Sequence, residues 1–177
     1  MMPNEKASLW VISGERGTGK TSFCQKLVQQ ATQSKWDVAG MLSPAVIVQG
    51  GKVAIDAVDL RSGIQRRLAQ RVRQDLPGST QTGTWHFDDE VLAWGNEVFK
   101  KATPCDLLVV DELGPLELER QQGWVAALDA IHSRAYRLCL LVLRPELIAV
   151  FRRQSNNFKL IKLPLEGSQV ELQLLPR

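Results

Sequence analysis

Apolar residues along the chain fall into short uniform runs, separated by longer stretches with a helical period. Residues 8–13, Ser-Leu-Trp-Val-Ile-Ser, form the first run and have the length of one strand. Phe23, Leu27, Val28 and Ala31 then recur at the spacing of one helix face, up to Ser34 and Lys35. A second core strand is predicted over 37–44. Ala45–Val48 and 52–58 alternate around Gln49-Gly50-Gly51, which is a hairpin signal. Residues 59–83 are rich in Arg, Gln, Gly and Ser and have weak periodicity. They are expected to be partly irregular, with one short strand near 65–68.

In the second half, Asp88 can cap a helix running to 101, with Val91, Trp94, Val98 and Ala102 on one face. Gly95 is expected to weaken that helix, and Thr103-Pro104 to end it. Buried strands are predicted over 106–110 and 137–143, with a helix over 122–133 between them. Arg144-Pro145 opens a helix to 153, and 158–163 reads as a late strand before an ambiguous tail. Uniformly apolar strands alternating with helices predict an α/β fold. Its mainly parallel sheet would be covered on both faces and carry an inserted antiparallel hairpin. No repeat or linker interrupts the 177 residues, so one domain is expected.

Composition narrows the function classes. With 44% hydrophobic and 23% charged residues, the chain reads as a soluble globular protein. Its longest apolar run, 138–143, is far short of the roughly 20 residues of a membrane span. Residues 1–8 are polar and show no export signal. Cys24, Cys105 and Cys139 are too scattered for a zinc site or a disulfide framework, which points to a reducing cytoplasm. His86 and His132 are isolated and are not expected to do chemistry. A net charge of +3 is too small to argue for nucleic acid. Arg61, Arg66, Arg67, Arg71 and Arg73 nevertheless cluster, either as a solvated face or as a contact for nucleotide phosphates or another polyanion.

Directly after the first strand run, residues 14–21 read Gly-Glu-Arg-Gly-Thr-Gly-Lys-Thr, matching G-x-x-x-x-G-K-[ST]. Gly14, Gly17 and Gly19 permit the backbone to close around an anion, and Glu15, Arg16, Thr18 and Ser22 complete the loop and the first helical turn. Lys20 would reach the β- and γ-phosphates, and the Thr21 hydroxyl would ligate Mg²⁺. Arg16 can fold over the phosphates or face solvent.

Such a loop calls for an apolar strand ending in an acid, and Leu107-Leu108-Val109-Val110-Asp111-Glu112 supplies one. Asp111 would act on Mg²⁺ indirectly, and Glu112 would polarise a water for in-line attack on the γ-phosphate. Asp111-Glu112-Leu113-Gly114 also fits D-x-x-G, but no guanine-reading N-K-x-D follows. That favours hydrolysis with a built-in base over a GTP switch. Arg144, after the strand at 137–143, is either a cation for the developing γ-phosphate charge or a surface arginine at a helix start. Asp129 and Arg134 read as ordinary exposed helix residues.

The stretch Val109-Val110-Asp111-Glu112-Leu113-Gly114-Pro115-Leu116-Glu117-Leu118 resembles the D-E-[IL]-G-x-[ML]-E-L signature of the thermophile-type nucleoside-triphosphatases, a small family with a human cancer-related member. Gly40-Met41-Leu42-Ser43-Pro44, Gly51-Lys52, Val58-Asp59-Leu60 and Val142-Leu143-Arg144-Pro145 are similar to further family segments. The resemblance implies a RecA-like phosphate-loop fold with an additional strand. It also implies slow, Mg²⁺-dependent hydrolysis of ATP, GTP and other nucleoside triphosphates to diphosphates. Arg16 replaces the family's usual Pro, Ala45 replaces an acid, and the Phe expected near Ala54-Ile55 is missing. Two other readings use the same loop: a nucleotide or polynucleotide kinase with the arginine run as acceptor face, and a nucleotide-gated interaction protein.

Overall fold

The computed structural model describes residues 7–71, 79–82 and 85–164. Its first half comprises β1 (Ser8–Ser13), α1 (Lys20–Gln33), β2 (Val38–Leu42), β3 (Ala45–Val48), β4 (Gly51–Asp59), β5 (Gln65–Arg71), β6 (Ser79–Thr82) and β7 (Trp85–Asp88). The second half comprises α2 (Asp89–Lys100), β8 (Cys105–Val110), α3 (Pro115–Leu118), α4 (Val125–His132), β9 (Tyr136–Leu143), α5 (Ile148–Gln154) and β10 (Lys159–Lys162). One sheet runs in the order β10-β1-β9-β8-β2-β4-β5-β7-β6, with β3 paired to β4.

From β10 to β2 the strands are parallel, and β9 lies between β1 and β8 as the additional strand that the resemblance implies. Helices cover both faces, which is why these strands are apolar throughout. Ile12, Leu107, Val109, Leu138 and Leu140 face one way and pack with Cys24, Leu27 and Ala31 of α1. Their neighbours Val11, Leu108, Val110, Cys139 and Leu141 face the other, against Phe99 of α2, Ile131 of α4 and Phe151 of α5. The period of two along each strand thus divides the core between two helical layers.

The hairpin begins an antiparallel wing. β4 meets β2 only through Met41 with Asp59 and Leu42 with Val58, so most of β4, with β3, continues past the carboxyl end of β2. The described residues of 59–88 are more regular than their composition suggests. β5 runs to Arg71, and β6 and β7 add two strands that were not predicted. β5 buries only Leu68 and Ala69, and β6 and β7 have four residues each, too few to show a period. Arg73 and the tail beyond 164 lie outside the described residues.

α2 begins as expected, with the Asp88 carboxylate accepting the amides of Glu90 and Val91 at 2.9 and 3.1 Å. Its buried face differs: Val91, Leu92, Gly95 and Phe99 point inward, while Trp94 and Val98 are half-buried. Gly95 marks the closest approach of α2 and the start of α4, because a Cβ there would stand 2.1 Å from the Trp124 indole nitrogen. α4 is shorter than predicted, and Arg134 lies beyond it at φ 53°, donating to the carbonyls of Ala7 and Asn157 at 3.1 and 3.2 Å. That corrects its reading as an ordinary helix residue. A 3-10 turn at Pro145–Leu147 precedes α5, so Arg144 is extended rather than helical. Cys24 and Cys139 are buried and their thiols are pushed far up by desolvation; Cys105 is pushed up to about 12 for the same reason. Among the described residues no helix is long and apolar enough to cross a membrane.

Candidate phosphate-binding and hydrolytic site

The loop between β1 and α1 holds its shape through its own backbone. Lys20 Nζ donates to the carbonyls of Gly14 and Glu15 at 2.7 and 2.8 Å, and the Thr18 hydroxyl donates to Glu15 at 2.8 Å. Gly14 is required by packing, since a Cβ there would lie 2.5 Å from the Leu163 carbonyl. Gly19 precedes α1 in the left-handed region at φ 83°, and no side chain caps the helix. The first turn also lacks an acid, so its free N–H groups and the positive end of the helix dipole are left for an anion. Glu15, Arg16, Gly17 and Ser22 are exposed. Desolvation lowers the Lys20 pKa, and the Glu112 charge works against that shift.

Opposite the loop, Asp111 directly follows β8 and is 1% exposed. Its two carboxylate oxygens accept the Thr21 hydroxyl at 3.2 Å and the Ser43 amide at 2.9 Å, while the Ser43 hydroxyl donates to its carbonyl at 2.8 Å. Burial raises the Asp111 pKa to about 6, and the Ser43 hydrogen bond moderates the rise. The next residue, Glu112, adopts φ 81°, a strained conformation for a residue with a side chain. Its carboxylate lies 3.3 Å from an Arg144 nitrogen. Arg144, which follows β9 and was left between two readings by the sequence, is thus drawn to Glu112.

Lys20 and Thr21 from α1, Asp111 and Glu112 from β8, and Arg144 from β9 meet at the carboxyl edge of the parallel strands. Among the described residues of the arginine run, Arg61, Arg66 and Arg67 are engaged elsewhere. Arg61 bonds Asp37 and the carbonyls of Lys101 and Pro104, Arg66 stacks 4.7 Å above the Trp94 ring, and Arg67 pairs with Asp56. Arg71 is exposed.

Two residues gain roles that the sequence reading did not assign. Ser43 orients Asp111 from the end of β2. Glu117, buried on α3, accepts the amides of Gly114 and Trp124 at 2.8 and 2.9 Å and ties down the loop after Glu112. Burial raises its pKa, against those two hydrogen bonds. An acid between Leu116 and Leu118 was the available signal, since a charge in an apolar run needs partners.

The oxygen donors of Thr21 and Asp111 suit a hard divalent cation. Among the described residues no cluster of three or more His, Cys, Asp or Glu is placed to hold a metal. A cation there would take the Thr21 hydroxyl directly and Asp111 through water, and would complete its shell with water and phosphate oxygens.

A three-layer α/β sheet with a glycine-rich loop at its central edge and an acid on the second strand away defines the phosphate-loop NTPase class of fold. A family model described as NTPase matches residues 10–168, and the chain belongs to that family. It is 34% identical over 113 residues to the nucleoside-triphosphatase THEP1 of Archaeoglobus fulgidus, covering 63% of each protein. It is 27% identical over 125 residues to that of Methanopyrus kandleri, covering 71% of this chain and 66% of the relative. The matched part thus spans less than two thirds of each of these relatives. Its fold is similar to the solution structure of a human cancer-related nucleoside triphosphatase, with TM-score 0.68, 21% identity and 90% of each chain covered.

Proposed function

We propose that this protein hydrolyses nucleoside 5′-triphosphates, ATP and GTP among them, to diphosphate and phosphate with Mg²⁺. The observation that carries this reading is the convergence of the loop lysine with an acid pair whose second member is paired to an arginine. Family membership supports the same activity, since the relatives are named nucleoside-triphosphatases.

In this reading the N–H groups of 14–22 bind the phosphates, and Lys20 leaves its carbonyl partners to neutralise β- and γ-oxygens. Mg²⁺, when held by the Thr21 hydroxyl and, through water, by Asp111, would neutralise charge on the phosphate oxygens. Glu112 accepts a proton from a water whose oxygen forms a bond to the γ-phosphorus. The bond to the β-bridging oxygen breaks, and the diphosphate departs with that electron pair. Arg144 pairs with Glu112 and presents a cation to the γ-oxygens. The backbone strain at Glu112 fits a side chain held for this task. The reading extends to several bases, as the resemblance implies.

The test is phosphate release from ATP, GTP, CTP and UTP by the purified protein. Release is expected from several of them with Mg²⁺ and is expected to stop in excess chelator. Transfer of the γ-phosphate to an added nucleoside or RNA end, with no release to water, would instead establish a kinase.

A further inference from the structure

Beside the phosphate loop a cleft of about 750 Å³ opens between β1, β10 and α5. This is the size of a small-molecule site. Ile148 and Ala149 of α5, with Leu160 and Leu163 on the β10 side, make its apolar walls. Arg152, Arg153 and Lys162 add positive charge. Gly14 and Glu15 also line it, and their carbonyls are the ones that hold Lys20. The cleft and the phosphate loop therefore share a wall.

Ser13, the last residue of β1, lines the same cleft. It is 1% exposed, and its hydroxyl has no hydrogen-bond partner. A buried hydroxyl left unpaired is costly, and a ligand in the cleft would give it a partner. Direction along the sheet points the same way. Glu112 and Arg144 follow β8 and β9, which lie on one side of β1, while β10 lies on the other. A triphosphate with its γ-end at Glu112 and its β-phosphate in the loop continues toward β10, where the cleft is.

We infer that this cleft holds the nucleoside of the triphosphate. The inference rests on the triphosphatase reading. The base lies against Ile148 and Leu163, and a sugar or base atom bonds Ser13 Oγ. Arg152, set 5.0 Å from the Phe158 ring, offers a guanidinium plane whose orientation is already restrained. None of these contacts is needed by the phosphates themselves.

Inorganic tripolyphosphate separates the two parts of the site, because it has the phosphates and no nucleoside. Binding of ATP and of tripolyphosphate, each with Mg²⁺, is measured by calorimetry for wild type, Ala149→Trp, Ser13→Ala and Lys20→Ala. Ala149 is exposed on α5, so an indole there fills the cleft without entering the core. Ala149→Trp is expected to weaken ATP by roughly tenfold or more and tripolyphosphate by less than about twofold. Ser13→Ala should weaken ATP several-fold without lowering the melting temperature of the free protein, because it removes an unpaired buried hydroxyl. Unchanged ATP binding in Ala149→Trp, or equal weakening of both ligands, would overturn the nucleoside assignment. Tripolyphosphate binding that survives Lys20→Ala, or its absence in wild type, would instead overturn the phosphate-loop reading, and this inference with it.

Discussion

Asp111 meets two opposed demands with one carboxyl group. It is buried, which favours the neutral acid, and it accepts the Thr21 hydroxyl and the Ser43 amide, which favour the anion. Burial dominates, moving its pKa from 3.8 to about 6. A carboxyl that holds its proton more tightly in the folded state stabilises the fold fully below its unfolded pKa. That stability is lost as pH rises through the folded value. The window here runs from about 4 to about 6. Above it the ionised group costs the metal-free protein roughly 3 kcal/mol. Asp111→Asn should therefore melt several degrees higher than wild type at pH 8 in chelator, with the gap closing toward pH 4, while losing Mg²⁺-dependent activity. Thermal melts across that pH range check this; equal melting at pH 8 would contradict it. At this scale the sequence was informative wherever chemistry demands a residue type at a fixed spacing, as at Lys20, Thr21 and Asp111. It was silent on contacts between distant segments: it gave Ser43 no role, and it offered Arg144 two readings without its contact to Glu112.

Among the elements, α2 shows how packing reverses a local preference. Glycine is a poor helix former, so its presence at position 95 suggested a weak point. The partner surface explains it, because Trp124 occupies the space a Cβ would take. Asn96, the next residue, donates to the Gly123 carbonyl at 2.8 Å and accepts the Ala126 amide at 2.9 Å, fixing the two segments at that distance. Gly95→Ala should consequently destabilise the protein by about 2 kcal/mol in denaturant unfolding, although alanine is the better helix former. A stabilised variant would show that the indole moves aside freely. The parallel strands were legible because each is apolar along its whole length. β5 was only partly so: Arg66, Arg67 and Gln70 are exposed, and its place is set by backbone pairing to β4 and β7.

In the molecule as a whole, the phosphate loop, the acid pair and Arg144 come from three strands that are distant in sequence and adjacent in the sheet. Alternation of strands and helices predicted a parallel sheet, and the resemblance implied the additional strand. The extent of the antiparallel wing, and the way its hairpin passes the carboxyl end of β2, followed from pairings that no periodicity encodes. In the proposed reading Glu112 is the residue that would distinguish a triphosphatase from a protein that only binds triphosphates. It is partly exposed and contributes little to packing, so Glu112→Gln should fold normally and bind ATP as wild type does. The most direct test is single-turnover release of phosphate from Mg-ATP by Glu112→Gln, with ATP affinity measured on the same samples. The account predicts unchanged affinity and a rate lower by roughly 10²- to 10⁴-fold, the usual loss of a general base. Release at the wild-type rate would contradict it.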